Sequence, residues 1–245
     1  MRLFRSSVIV GALCATVLLV TAPFARAQAT FGGLWLMDEG AGQTVKDSSS
    51  NHLDGVLGAS TAVEDTDPTW IPGLSKYTKA LHFDGADYVT MPNSPALQTA
   101  RITVGAVLRA TGSPGAYRYV AAQGSYSCDW ASYGLYTGPD GGLIFYISDG
   151  GPTFVVSPDA GTSVWDGRWH LVYGTFDGAM VRLYVDGKEV GTGTPTSAAI
   201  GYANPVDGHF YIGDYRGTCP TPLGFVGDIE AAGVLQDVVN WKPSN

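Results

Sequence analysis

Residues 165–188 read WDGRWHLVYGTFDGAMVRLYVDGK, and this stretch decides the fold. Over 170–176 and again over 181–185, β-branched and aromatic residues alternate with small or polar ones, the period-two pattern of a half-buried strand. Asp177-Gly178 stands between the two runs, and Asp166-Gly167 and Asp186-Gly187 flank them. Asp-Gly suits a tight hairpin because both residues tolerate positive φ. The pattern continues outward in both directions, with short strand-like runs at 81–83, 88–91, 102–108, 143–147, 153–156 and 210–212. Asp-Gly pairs begin at 54, 84, 140, 149, 166, 177, 186 and 207. No stretch of comparable length has helical periodicity. Many short strands joined by hairpins predict an all-β sandwich or barrel. Residues 59–79 and 192–208 lack a sustained period and are predicted to be long loops.

The N-terminus speaks to compartment. Arg2 and Arg5 precede an apolar run over 8–20, and Ala25-Arg26-Ala27 offers small residues at a cleavage position. Residues 1–27 are therefore predicted to be a secretory signal peptide, with a cut after Ala29 as the alternative, and residues 28–245 a single domain. The apolar run falls short of the ~20 residues a membrane span requires. The full chain carries 14 basic and 22 acidic side chains. Losing Arg2, Arg5 and Arg26 lowers the basic count by three to 11 and removes no acid. Such a surface repels phosphate backbones and anionic lipid, which disfavours nucleic acid and membrane partners. Of three cysteines, Cys14 falls within the signal. The remaining even pair, Cys128 and Cys219, predicts a disulfide in an oxidising compartment, against the alternative of two buried thiols.

Further segments carry a resemblance. The opening Gly33-Leu34-Trp35-Leu36-Met37-Asp38-Glu39-Gly40 and the turn around Asp47-Ser48-Ser49-Ser50-Asn51 are the first. Phe83-Asp84-Gly85, the 165–188 hairpin with its Asp-Gly-Arg-Trp-His start, Tyr211-Ile212-Gly213 and Phe225-Val226-Gly227-Asp228-Ile229-Glu230 follow. In this order they resemble the laminin G-like, concanavalin A-like jelly-roll superfamily, although Ser50 stands where that family usually has Gly. The resemblance implies a two-sheet antiparallel β-sandwich and an exported, lectin-like binding module recognising carbohydrate at the cell surface or outside the cell. A protein-recognising adhesion domain is the alternative, and a polysaccharide-active glycosidase or lyase a third. It also implies a structural calcium ion held by Asp47 and Glu230 with Asp228 or Asn51, set against solvated turn acids.

The residues argue against catalysis. A retaining glycosidase needs two facing carboxylates, yet Glu39, Glu64, Glu189 and Glu230 are scattered and no Glu-x-Asp-x-x-Glu string occurs. His52, His82, His170 and His209 have no zinc-ligand spacing. Glycan recognition asks for flat rings beside a few polar groups. The segment 126–136 is rich in both, and the predicted disulfide ties it to 214–219. Tyr126, Asp129, Trp130, Tyr215 and Arg216 are the candidate ligand-binding residues. The alternative sends Tyr133 and Tyr136 into the core and leaves Trp130 shielding the disulfide. Trp35, Trp165 and Trp169 are assigned to the core.

Overall fold

The computed structural model describes residues 30–125, 128, 131–151, 153–203, 207–216, 219 and 223–239. The predicted signal peptide lies outside them. Two sheets, of nine and eight strands among the described residues, are built from antiparallel pairs. The larger sheet runs Lys188–Glu189, Met180–Val185, His170–Phe176, Ile102–Arg109, Val226–Leu235, Lys79–Asp84, Thr69–Pro72, with Phe31–Trp35 added along Val226–Leu235 and Thr194–Pro195 along Met180–Val185. The smaller runs Phe154–Val156, Leu143–Ser148, Tyr133–Thr137, Tyr119–Ser125, Asp207–Ile212, Val89–Met91, Gly55–Leu57, Thr44–Val45. The predicted hairpin forms in register, Val172 opposite Val185 and Phe176 opposite Val181. Short strands also cross both predicted loops, at Thr69–Pro72 and Thr194–Pro195.

One cluster of buried side chains fills the space between the sheets. Trp35 from the larger sheet stacks on Phe210 from the smaller, ring centroids 5.2 Å apart. Phe145 approaches so closely that a Cβ on Gly174 would lie 2.0 Å from its ring. Glycine is therefore required where the two sheets touch. Each fully buried aromatic or aliphatic side chain contributes roughly 1.5–3 kcal/mol.

Six of the eight Asp-Gly glycines, Gly85, Gly141, Gly150, Gly167, Gly178 and Gly187, have φ between 76° and 99°. Gly55 and Gly208 instead lie within strands. At Gly55 a Cβ would come 2.8 Å from the Met91 sulfur, so packing rather than a turn selects it. Trp35 and Trp165 are buried, and their indole nitrogens donate to Leu53 O and Gly141 O, each at 2.8 Å. Trp169 corrects the sequence reading: it is only partly buried, and its ring faces the Arg109 guanidinium at 4.7 Å. His170 ties two turns together, with Nδ1 2.8 Å from Asp186 and Nε2 3.0 Å from Asp166. Burial alone would lower its pKa, but the two carboxylates outweigh burial and raise it.

Candidate functional site

Strand alternation sends Tyr133, Leu135 and Phe145 inward and Tyr136, Ile144 and Tyr146 to the outer face of the eight-stranded sheet. There they meet Tyr119 and Tyr215. Tyr119 stacks on Tyr136 at 5.0 Å and on Tyr215 at 4.9 Å, and Tyr146 stands edge-on to Tyr136 at 4.9 Å. The hydroxyls of Tyr119 and Tyr146 lie 3.1 Å apart, and Ala131 N donates to Tyr146 at 2.7 Å. Burial pushes the phenols of Tyr119, Tyr136 and Tyr146 well above their ordinary range. The Cys128–Cys219 disulfide, spanning 91 residues, forms as predicted, and Cys219 packs against this second cluster.

Of the five candidate binding residues, Tyr126, Asp129 and Trp130 lie outside the described residues. Tyr215 is 3% exposed, so its ring is a packing element of the tyrosine cluster and not a surface platform. Arg216 is different. Its side chain is 44% exposed, its guanidinium lies 4.4 Å above the Tyr88 ring, and Nη1 donates to Asp214 Oδ2 at 3.1 Å. Asp214 is almost wholly buried; burial raises its pKa, against the hydrogen bonds and the nearby Arg216 charge.

From Arg216 a strip runs across the sheet face. Tyr88 meets Tyr211 edge-on at 6.2 Å, and the Tyr211 hydroxyl donates to Asp207 Oδ2. Asp207 Oδ1 accepts the backbone N–H of His209 at 2.8 Å and lies 2.6 Å from its Nδ1. Burial acts to raise the Asp207 pKa, but the bonds from Tyr211 and His209 prevail and lower it. Beside Tyr88, Asp87 is pushed up to about 6, chiefly by burial. The His209 side chain is 49% exposed. Tyr88 escaped sequence reasoning because it lies far from Arg216 in the chain and joins it only through the pairing of Asp207–Ile212 with Val89–Met91, and Asp207, His209 and Tyr211 because nothing in the sequence just before Arg216 marked their side chains as sharing a surface with it. The one available signal was the clustering of Tyr and Asp in and beside two short predicted strands.

The expected calcium ligands do not fit an ion. Asp47 accepts Leu34 N, Ser49 N, Ser49 Oγ and Leu53 N at 2.8–2.9 Å, so its lone pairs face protons. Burial acts to raise its pKa, but these bonds lower it. Asn51 Nδ2 donates to Phe31 O and Gly32 O. Asp228 lies between Arg109 and His82, and Glu230 accepts Leu74 N. Among the described residues no group of three or more His, Cys, Asp or Glu side chains could hold a metal ion. The remaining glutamates each have local partners: Glu39 with Lys46 N, Glu64 with Ser60 and Ala59 N, Glu189 with Arg182.

Comparison with solved structures places this architecture. Domain 4 of AbnA, a GH43 extracellular arabinanase from Geobacillus stearothermophilus in complex with arabinotriose, superposes with a TM-score of 0.62 at 16% identity, covering 86% of this chain and 94% of that one. The binding domain of botulinum neurotoxin DC in complex with rat synaptotagmin II gives 0.60 at 9% identity over 84% and 48% of the two chains. Trypanosoma rangeli sialidase gives 0.56 at 14%, and the 85% of this chain that aligns covers only 30% of the sialidase. At such identities the likeness is one of fold. No curated protein matches the sequence. Residues 83–242, however, match a laminin G-type family profile, and with it the sandwich, its closing strands and its hairpin are accounted for: the chain belongs to the concanavalin A-like lectin/glucanases superfamily.

Proposed function

We propose that the protein is an exported carbohydrate-binding module that holds its glycan on the outer face of the eight-stranded sheet, at Arg216 and His209, with the buried Tyr88 and Tyr211 and the half-buried Asp207 fixing them from below, and does not cleave it. The observation that carries this reading is the state of Arg216: nearly half exposed, yet fixed from below by the Tyr88 ring and from the side by Asp214. A donor fork oriented before binding loses little freedom when a sugar hydroxyl arrives. Beside it, His209 and the Tyr211–Asp207 pair present further polar groups from a rigid strand. The family and the arabinotriose complex of the AbnA domain support a sugar as the ligand. The disulfide and the basic, then apolar, N-terminus support export.

The test is retention on insoluble polysaccharides and a glycan array, with reducing-sugar release measured alongside. The parent protein is expected to bind at least one neutral glycan without releasing sugar. Folded Arg216→Met with His209→Ala is expected to bind it at least about tenfold more weakly, the scale of one hydrogen bond to a charged group. Equal binding by the double variant would overturn the site. Sugar release abolished by Asp207→Asn would overturn the non-catalytic reading.

A further inference from the structure

A second constellation stands on the outer face of the nine-stranded sheet. His82, Asp228 and Arg109 come from three adjacent strands and lie directly opposite one another, Asp228 pairing with both His82 and Arg109 in the register. Asp228 Oδ2 accepts Arg109 Nε at 2.6 Å, and Oδ1 lies 2.6 Å from His82 Nδ1. The Arg109 guanidinium is also held face-on by Trp169 at 4.7 Å. All three side chains line a pocket of about 280 Å³, whose lining also includes Thr111 and Ser113.

What remains unused decides the chemistry. Arg109 is 37% exposed and spends only Nε, so its two η nitrogens meet no acceptor among the described residues. Asp228 is 12% exposed and each of its oxygens already has a partner. The His82 side chain is 48% exposed and spends Nδ1 on Asp228, which leaves Nε2 without a hydrogen-bond partner among the described residues. A planar fork of free N–H donors fits two oxygens side by side that only accept, which is a carboxylate. A neutral diol fits less well, because each hydroxyl must also donate and the carboxylate of the site is committed. His82 lines the same pocket, and its second ring nitrogen suits a neighbouring hydroxyl.

We infer that this pocket is a second, separate site that binds the carboxylate of a uronic acid residue in an acidic glycan. The inference rests on the carbohydrate-binding reading but on different residues. In solution NMR of the full chain, glucuronate and an oligouronate are expected to shift the Trp169 indole N–H. The methyl ester of glucuronate should bind at least about tenfold more weakly, through loss of the charge-assisted pair. Arg109→Gln should remove the response, Arg109→Lys should weaken it because an ammonium lacks the fork, and Arg216→Met should leave it intact. Arg109→Lys keeps the charge beside Asp228, so it serves if Arg109→Gln fails to fold. Equal binding of ester and acid, an undiminished response in the lysine variant, or no Trp169 shift with either uronate would overturn the proposal. Acetate matching glucuronate in affinity would likewise overturn it, marking an unspecific anion site. Neutral glycans held at Arg216 with no uronate response would sink this site alone; a uronate response with no binding at Arg216 would sink the other alone.

Discussion

The outer faces of the two sheets obey the same alternation and end in opposite states. On the eight-stranded sheet the outward side chains of the central strands include Tyr119, Tyr136 and Tyr146, buried against Tyr215, Ala131 and Cys219. On the nine-stranded sheet the outward positions include Leu34, Gly105, Val107, Leu171 and Gly233, and these leave an apolar groove of about 240 Å³. Large rings that carry a hydroxyl need both a roof and a partner for that hydroxyl. Small and aliphatic side chains need neither, and among the described residues this face keeps an open groove. One face thus depends on chain that folds over it, the other only on its own strands. Substitutions should separate the two.

The largest effect is expected at the tether. Replacing Cys128 and Cys219 by Ser removes a bridge that closes 91 residues, worth roughly 4–5 kcal/mol in the chain-entropy model. Thermal unfolding should show a large fall in Tm, and the fluorescence of the tyrosine face should change before global unfolding. Amides of the groove strands Ile102–Arg109 and Val226–Leu235 should keep their hydrogen-exchange protection until the global transition. Equal loss of protection on both faces would show that the tether stabilises the whole sandwich and not one side of it.

This asymmetry also explains what the sequence could say. The hairpin at 165–188 was legible because its strands, its Asp-Gly turns and its aromatic positions are all local, and the disulfide because only two cysteines remained. Tyr119–Ser125 was not, since YVAAQGS lacks a clear alternation; a register shift between Tyr119 and Ala121 turns both Val120 and Ala121 inward. Tyr136 looked like a core residue and is buried, but on the outer face, under chain far away in the sequence. The strip beside Arg216 was hidden for the same reason: Tyr88 and Tyr211 meet only through strand pairing. Asp47 and Asp228 looked like metal ligands because a carboxylate in a turn or strand gives no sign of the N–H groups that will occupy it.

A smaller and more selective effect is expected from Tyr146→Phe. The ring is wholly buried, and its hydroxyl accepts Ala131 N and pairs with Tyr119. Phenylalanine keeps the packing and leaves a buried backbone donor unpaired, a cost of about 1–3 kcal/mol. Urea unfolding at neutral pH measures it, with the m-value unchanged if only the native state is affected. A cost near zero would mean that the Ala131 N–H finds another acceptor and that the roof is looser than its contacts imply.

Tyr173→Phe applies the same chemical change to the opposite face and should have the smallest effect. Tyr173 lines the groove, stacks on Tyr184 at 4.7 Å, and is 5% exposed. Its hydroxyl is buried with no hydrogen-bond partner among the described residues, and burial is the main cause that lifts its pKa to about 12. Removing an unpaired buried hydroxyl leaves no orphan behind and relieves its desolvation, so stability should be unchanged or rise by up to about 1 kcal/mol. The stack with Tyr184 survives, because it uses the ring and not the oxygen. A loss as large as that of Tyr146→Phe would require a donor or acceptor standing over the groove in solution, and the two faces would then be alike in needing cover.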